Sequence, residues 1–312
     1  MGRKEGGSLF QQAIRRPGVF ILADRTNADS SPIEVSFKTR ENYYDCLHRA
    51  TDYFKARGIR RFSDITKEMA QEYADHLIAE GKTPSTVKTY LAPLCKAIGF
   101  PRSELNLPLR RASEFTRSSG GGRTRSNSPG ELNAMLGLRK SELARLRGNS
   151  FVEKNGILYV IVTRGKGGKY QEQKILPHYE AKVRAFFDGS SNKLFTRKDF
   201  VGGFDYHGQR RGVAAGALQY YMERAKADPG YRKELYKEIA DQWHVNNKKH
   251  RGELEPFSYF DTPYKLRGQN RELAIKQGLP TELDRLVLRA VSVLHLAHWR
   301  DKVTIQSYYF KR

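Results

Sequence analysis

The middle of the chain contains a run of glycine, serine and arginine that restricts how the whole sequence can fold. Residues 116–130 read TRSSGGGRTRSNSPG, a composition with no large apolar side chain and with high backbone freedom. Such a segment cannot enter a hydrophobic core, so the apolar patterns on its two sides must form separate cores. We therefore predict a polar, loosely ordered segment over residues 1–32, a helical domain over 33–112, a flexible basic linker over 113–128 and a second domain over 129–312.

Three amphipathic helices are predicted in the first domain, each after a side chain that can cap it. Ser36, Thr66 and Thr83 precede apolar residues that recur every three to four positions. Gly58 and Gly81 are typical residues for ending the first two helices. The domain is therefore expected to be a compact helical unit.

Two groups of side chains in this half of the protein can touch the phosphates of a nucleic acid. The third helix exposes short hydroxyls and an amine that suit positioning contacts, namely Ser85, Thr86, Lys88 and Thr89. Arg123 and Arg125 lie in the linker, which can pass along a DNA backbone as a basic strap. An ordinary capped surface helix and a solvated tether would show the same patterns.

The charge balance favours a polyanionic partner. Lys and Arg number 56 against 34 Asp and Glu, a formal net charge of +22, and nucleic acid is the commonest polyanion. A solvated basic protein, such as a ribosomal or chromatin factor, is the alternative. RNA binding is least favoured, because no strand carries an aromatic RNA-recognition motif.

The lack of a recognisable targeting signal and the context of the two cysteines predict a cytoplasmic protein. The sequence has no apolar run long enough to span a membrane and no apolar stretch near its start typical of a secretory signal. Cys46 and Cys95 lie in apolar helical contexts. They indicate packing roles in a reducing compartment, and neither a disulfide framework nor a metal site is expected.

The second domain combines helices with a small sheet. Strand patterns over Ile157–Thr163 and Gln171–Leu176 flank a glycine-rich turn. Helices are predicted around residues 138–147 and from His207 to Arg224, and residues 224–285 form a long, polar, mostly helical stretch. The predicted fold is mainly α with a small β-sheet.

An ordered set of side chains in this domain can break a phosphodiester bond with a protein nucleophile and no metal. The set is Arg139, Lys166, His207, Arg210, His298 and Tyr308. Two guanidiniums can fork onto the non-bridging phosphate oxygens. A lysine can protonate the departing sugar oxygen, histidines can manage the remaining proton and charge, and a tyrosine hydroxyl can form a covalent intermediate.

The segments around these residues resemble the motifs of the tyrosine recombinase (phage integrase) family. Leu138–Leu143 is similar to its first arginine box, Gly165–Lys169 to its lysine hairpin and His207–Arg210 to its His-x-x-Arg box. Leu296–Trp299, followed by Thr304 and Tyr308, resembles its closing segment. Residues 36–100 look like its helical core-binding (SAM-like) domain, so the resemblance implies that domain followed by a mixed α/β catalytic domain.

The resemblance implies a role for each matching residue. Arg139 and Arg210 would clamp the scissile phosphate, and Lys166 would be the general acid for the 5′-hydroxyl leaving group. His207 would assist proton transfer and His298 would hydrogen-bond a phosphate oxygen. Tyr308 would attack to give a 3′-phosphotyrosine, and Glu142 would orient a group of the site.

The resemblance also implies the setting of the reaction. It would be site-specific recombination of double-stranded DNA, for integration or excision of a mobile element, without metal, ATP or another cofactor. A homotetramer on DNA is expected, and accessory DNA-bending proteins can take part.

The chain departs from the family pattern in two places. The family usually has two further helices before its first arginine box, so the resemblance implies that a segment is missing between Met135 and Leu136. Residues 224–285 are an insertion that lengthens the distance from Arg210 to His298. An alternative function is therefore that of a catalytically impaired DNA-binding remnant of such a recombinase.

The sequence leaves three more questions open. A relaxing enzyme of the type IB topoisomerase kind shares the constellation, although the helical first domain and the small size argue against it. Tyr309 adjoins Tyr308 and could be the nucleophile instead. Trp299 can donate one hydrogen bond and so could occupy the position of His298.

Overall fold

The computed structural model describes residues 6–26, 32–109, 128–166, 168–200, 205–246 and 252–310. The chain divides into two compact units, Met1–Arg111 and Ala112–Arg312. The fold is mostly helical with small antiparallel sheets, as predicted. Within the described residues, no helix is both long and apolar enough to cross a membrane.

Hydroxyl caps and glycine stops set the boundaries of the first unit's helices. Ser36, Thr66 and Thr83 each accept a hydrogen bond from the backbone N–H three residues further on. Gly99 ends the third of these helices in a left-handed conformation, φ 99°. The elements are α1 (Leu9–Ile14), β1 (Ile21–Thr26), β2 (Pro32–Glu34), α2 (Phe37–Ala56), α3 (Lys67–Ala79) and α4 (Pro84–Ile98).

The first unit is held together by the apolar stripes of α2, α3 and α4. Leu47 and Phe54 from α2, Leu77 from α3, and Leu91 and Leu94 from α4 are all buried in one cluster. Their spacing puts them on the inward faces of the helices. The three predicted helices are therefore confirmed.

The prediction of a loosely ordered N-terminal segment is wrong for residues 8–22. Leu9, Ala13 and Val19 are buried in the same core as α2 and α4. Ser8 and Gln11 form a reciprocal capping box at the start of α1. The polar composition of this segment conceals a short apolar stripe, which is stable only because the core of the unit covers it.

Helices surround a small sheet in the second unit. Its elements are α5 (Ser128–Leu136), α6 (Lys140–Leu143), β3 (Phe151–Lys154), β4 (Ile157–Val162), β5 (Gln171–Lys174), α7 (Pro177–Arg184), α8 (Tyr206–Ala227), α9 (Tyr231–Asn246), β6 (Tyr264–Lys265), α10 (Gly268–Lys276), β7 (Glu282–Leu283), α11 (Arg285–Ala290) and α12 (Asp301–Thr304). π-Helical turns extend α11 over Val291–His295 and α12 over Ile305–Tyr309.

Strands β3, β4 and β5 pair antiparallel in that order. The register pairs Val160 of β4 with Phe151 of β3 on one side and with Gln173 of β5 on the other. Leu158, Val160 and Val162 are buried, so one face of β4 covers the core. The two predicted strands and the turn between them are confirmed, with slightly shorter bounds.

The single helix predicted around residues 138–147 is wrong. Gly137 has a positive φ of 63°, and Arg139 is extended with φ −74° and ψ 148°. A short helix, α6, starts only after Arg139. A Cβ added to Gly137 would lie 3.0 Å from the Cβ of Val213, so this turn requires glycine for both its conformation and its packing.

The inserted stretch forms part of the core of the second unit. Leu235, Ile239 and Trp243 from α9 are buried beside residues of α8 and α11. The stretch is helical as predicted over α9 and α10, but it also contains the antiparallel pair β6–β7, which the sequence did not indicate. Strands of two residues carry too little periodicity to be recognised.

Candidate active site

Arg210 occupies the centre of the candidate site. It lies near the N-terminal end of α8 and is 0% exposed. Its Nη1 donates to the carbonyl of Gly137 at 2.5 Å, and its Nη2 donates to the carbonyl of Leu296 at 2.6 Å. Its Nε donates to the hydroxyl of Tyr308 at 3.3 Å. This one side chain therefore joins the turn before Arg139, the loop after α11 and the C-terminal helix.

Arg139 is positioned by a buried carboxylate. Glu142 accepts from the Arg139 backbone N–H at 2.9 Å and from Nη1 of its guanidinium at 2.6 Å. The Glu142 side chain is 0% exposed, whereas that of Arg139 is 26% exposed. One edge of the guanidinium is therefore bound to Glu142 while part of the side chain still faces solvent.

The two guanidiniums are close enough to influence each other. Burial is the main cause that lowers the pKa of Arg210, and the positive charge of Arg139 lowers it further. The Tyr308 hydroxyl and the Glu142 carboxylate oppose this shift. Two cations share one nearby carboxylate, so an anion that enters beside them would be favoured electrostatically.

Tyr308 and His298 complete the cluster. Tyr308 is 8% exposed in the π-helical turn that follows α12. Its ring stacks on the half-buried imidazole of His298, with centroids 6.0 Å apart and an interplanar angle of 25°. The structure thus brings together four of the six predicted catalytic residues: Arg139, Arg210, His298 and Tyr308.

Tyr309 and Trp299, the aromatic neighbours of Tyr308 and His298, make contacts outside the cluster. Tyr309 donates from its hydroxyl to the carbonyl of Pro280 at 2.8 Å, and burial raises the pKa of Tyr309 to about 12. Trp299 packs edge-on against Trp243 in the core, with ring centroids 6.4 Å apart. The geometry at Arg210 therefore favours Tyr308 over Tyr309, and the stacking on Tyr308 favours His298 over Trp299.

The side chains of Lys166 and His207, the other two predicted catalytic residues, are exposed. Lys166 lies in the turn between β4 and β5. The turn itself is brought towards the cluster, because the ammonium group of Lys169 lies 5.8 Å from the ring centroid of Trp299, the residue after His298.

A buried asparagine outside the sequence motifs sets the position of Arg139. Asn133 is 0% exposed, and its Oδ1 accepts from the N–H of Leu138 at 2.8 Å. Its Nδ2 donates at 3.0 Å to Gln209, and Gln209 donates at 2.7 Å to the carbonyl of Gly130. These bonds clamp α5 to α8, so the short connection before Arg139 still delivers it next to Arg210. In the sequence, the signal for this role was a polar residue at a position of α5 where the helical pattern expects an apolar one.

The predicted DNA-contacting residues of the first unit lie around the first turns of α4. Thr86 shares its hydroxyl with that of the cap residue Thr83 at 3.0 Å, and Thr89 donates to the carbonyl of Ser85 at 2.9 Å. Lys88 is half-buried and Thr89 is exposed. Arg123 and Arg125 lie outside the described residues.

No group of three or more His, Cys, Asp or Glu side chains in the described part of the chain is placed to hold a metal ion. The site contains two guanidiniums, which suit phosphate or carboxylate ligands.

Comparison with known proteins adds little to the geometry. No family model matches the sequence, and no curated protein matches it. One similar solved structure is the XerH site-specific recombinase bound to palindromic difH substrate in a post-cleavage complex, with 18% identity, a TM-score of 0.37, and 58% of this chain and 69% of that chain covered. The pre-cleavage complex of XerH with difH substrate has 17% identity, a TM-score of 0.37, and 59% and 70% of the two chains covered.

Proposed function

We propose that this chain is a tyrosine-type site-specific DNA recombinase, which cuts and rejoins strands through a 3′-phosphotyrosine. The observation that carries the proposal is the hydrogen bond from the buried Arg210 to the hydroxyl of Tyr308, with Arg139 beside them. A nucleophilic hydroxyl next to two guanidiniums is an arrangement suited to attack on a phosphodiester.

In this reaction the Tyr308 oxygen attacks phosphorus and the 5′ oxygen of the neighbouring sugar leaves. Arg139 and Arg210 stabilise the extra negative charge on the phosphate oxygens in the transition state. The exposed Lys166 donates the proton that the 5′ oxygen needs, and His207 assists removal of the hydroxyl proton. His298 donates a hydrogen bond to a phosphate oxygen once DNA is bound.

The energy of the broken bond is retained in the phosphotyrosine. A 5′ hydroxyl from a second strand can attack it, restore the phosphodiester and release Tyr308, so neither ATP nor a divalent metal is required in this scheme. Exchange of strands follows when the attacking hydroxyl belongs to another duplex.

Double-stranded DNA is the partner that the charge supports. With a net charge of +22, binding is expected to depend on phosphate contacts and counterion release. The first unit acts as the core-binding domain and contacts DNA through Ser85, Thr86, Lys88 and Thr89, with Arg123 and Arg125 of the linker along the backbone. Assembly of a homotetramer, accessory DNA-bending proteins and a role in a mobile element belong to the same proposal.

The decisive experiment is to trap the covalent intermediate. Suicide duplexes carry the ends of the element and a nick close to the cut, so that the short fragment with the released 5′ hydroxyl diffuses away. They are incubated with protein in EDTA and analysed on a denaturing gel. We expect a shifted protein–DNA band that protease removes. Activity that EDTA abolishes and Mg²⁺ restores would contradict the tyrosine mechanism.

A second function, that of a DNA-binding remnant without catalysis, is favoured by one observation. Arg210 is fully buried and donates to two backbone carbonyls as well as to Tyr308. A phosphate can reach its guanidinium only if one of these three partners moves. If the wild-type protein binds its own sites tightly but never forms an adduct, the remnant is the better description.

A further inference from the structure

The second half of the insertion packs against the segment that carries Tyr308. Residues 252–283 are here called the clasp segment. One apolar cluster contains buried residues of both, with Leu266, Ala274 and Leu283 from the clasp segment and Ile305 and Phe310 from the C-terminal segment. An apolar contact of this kind fixes one face of the π-helical turn that includes Tyr308.

A buried arginine links the clasp segment to α12 by charge. Arg289 of α11 donates from Nη1 and Nη2 to the carboxylate of Glu255, at 2.6 and 3.1 Å. It donates from Nε and Nη2 to the carboxylate of Asp301, at 3.1 and 3.2 Å. The side chain of Arg289 is only 6% exposed. Both carboxylates are thus held in forked pairs by one guanidinium, in the geometry that gives the strongest charged hydrogen bonds.

Two further hydrogen bonds hold the C-terminal segment in place. The hydroxyls of Ser292 and Thr304 lie 2.5 Å apart and join the turn after α11 to the end of α12. Tyr309 reaches the clasp segment through its bond to Pro280. Residues 305, 309 and 310 therefore face the clasp segment while Tyr308, between them, turns towards Arg210.

We propose that the clasp segment is a positioning element, which holds the nucleophile Tyr308 against Arg210 of its own chain through Glu255 and the apolar cluster. The proposal rests on the proposed function for the chemistry of Tyr308, but the holding contact can be tested without it. The insertion then has a defined role in the placement of the C-terminal segment.

The test is Glu255→Gln, which removes the charge that joins the clasp segment to Arg289 and leaves Asp301 in place. The matched control is Glu253→Gln, the same change at an exposed carboxylate two residues away. The first measurement is hydrogen exchange of the backbone amides of residues 301–310 in the protein without DNA. We expect exchange about tenfold faster in Glu255→Gln than in wild type or control, because a charged hydrogen bond pair is lost.

The second measurement is the rate of adduct formation at saturating suicide DNA, together with the DNA concentration at half saturation. We expect Glu255→Gln to slow the reaction about tenfold and to leave half saturation unchanged, since the nucleophile and not the DNA surface is displaced. Adding Leu266→Ala should slow it further. Faster exchange with an unchanged reaction rate would overturn the proposal, as would unchanged exchange.

The two proposals fail in different ways. If the wild-type protein forms no adduct, the proposed function fails, and the exchange measurement alone decides whether the clasp segment holds residues 301–310. If wild type reacts and Glu255→Gln behaves like Glu253→Gln in both measurements, only the positioning proposal fails.

Discussion

The regions around Arg210 and Arg289 both bury a guanidinium in the second unit, yet they compensate its charge differently. Arg289 donates four hydrogen bonds to the carboxylates of Glu255 and Asp301. Arg210 donates to two backbone carbonyls and one tyrosine hydroxyl. Burial opposes the charge in both places, but the carboxylates hold the pKa of Arg289 well above its ordinary value, whereas the pKa of Arg210 is lowered.

The difference lies in what each guanidinium can still offer to a ligand. Arg289 is fully neutralised by its neighbours and has no capacity left for a ligand. Arg210 has no carboxylate hydrogen-bonded to it, so an anion that enters beside it would be favoured electrostatically. Among the described residues of the first unit, the buried polar side chains are Gln12 and Thr51, neither of them charged. The candidate site is therefore the place where a buried guanidinium, that of Arg210, has no hydrogen bond to a carboxylate.

The largest effect is expected from substituting the proposed nucleophile, Tyr308. Tyr308→Phe removes the hydroxyl that Arg210 contacts and should abolish adduct formation while the fold and DNA affinity survive, because the ring still packs on His298. Tyr309→Phe, the matched control, loses the exposed bond to Pro280 but keeps its ring in the apolar cluster, so the segment stays held and the adduct should still form. Denaturing gels and filter binding measure the two properties. Loss of adduct in Tyr309→Phe and its retention in Tyr308→Phe would exchange their roles.

The comparison of the two arginines predicts opposite effects on stability. Arg289→Met leaves two carboxylates without their cation and should lower the free energy of unfolding by about 3–5 kcal/mol. Arg210→Met leaves no unpaired charge, only two carbonyls and a hydroxyl without their donor, and should lower it by less. Urea denaturation followed by circular dichroism measures both. Equal losses would mean that Arg210 is as structural as Arg289.

The rate of adduct formation should depend strongly on the two guanidiniums of the site. Arg210→Ala and Arg139→Ala should each slow adduct formation by about 10²–10³-fold, or roughly 3–4 kcal/mol, because each removes a charged donor from the transition state. Single-turnover rates at saturating DNA measure this. A change confined to DNA affinity would assign these residues to binding alone.

A smaller effect is expected on the pH dependence of stability, because His295 is a buried titratable side chain. Burial and the nearby charge of Lys174 lower the pKa of His295 to about 3, and the imidazole is hydrogen-bonded to Tyr221 at 2.9 Å. Below about pH 6.5 the unfolded chain binds a proton that the folded chain does not, so stability falls by about 1.4 kcal/mol per pH unit towards pH 3. Urea denaturation at pH 7 and pH 5 should show this slope, and His295→Gln should reduce it. An unchanged slope would assign the acid sensitivity to other groups.

Much of the fold follows from local patterns. The hydroxyl caps at Ser36, Thr66 and Thr83 and the alternation along β4 depend on neighbours within one turn or one strand. The same reasoning failed at Arg139, where one glycine with positive φ divides a pattern that looks continuous. It failed at residues 8–22, because their few apolar side chains matter only when the rest of the core is present.

The sequence alone determined which chemical groups are available: an ordered set of cations, histidines and tyrosines on a basic chain. Only the tertiary structure decided which of them meet. Tyr308 and Tyr309 are adjacent and chemically equal, but a helical turn directs one to Arg210 and the other to Pro280. That choice depends on contacts between residues almost a hundred positions apart, and the free energy of such contacts comes from burying surfaces that no local segment has by itself.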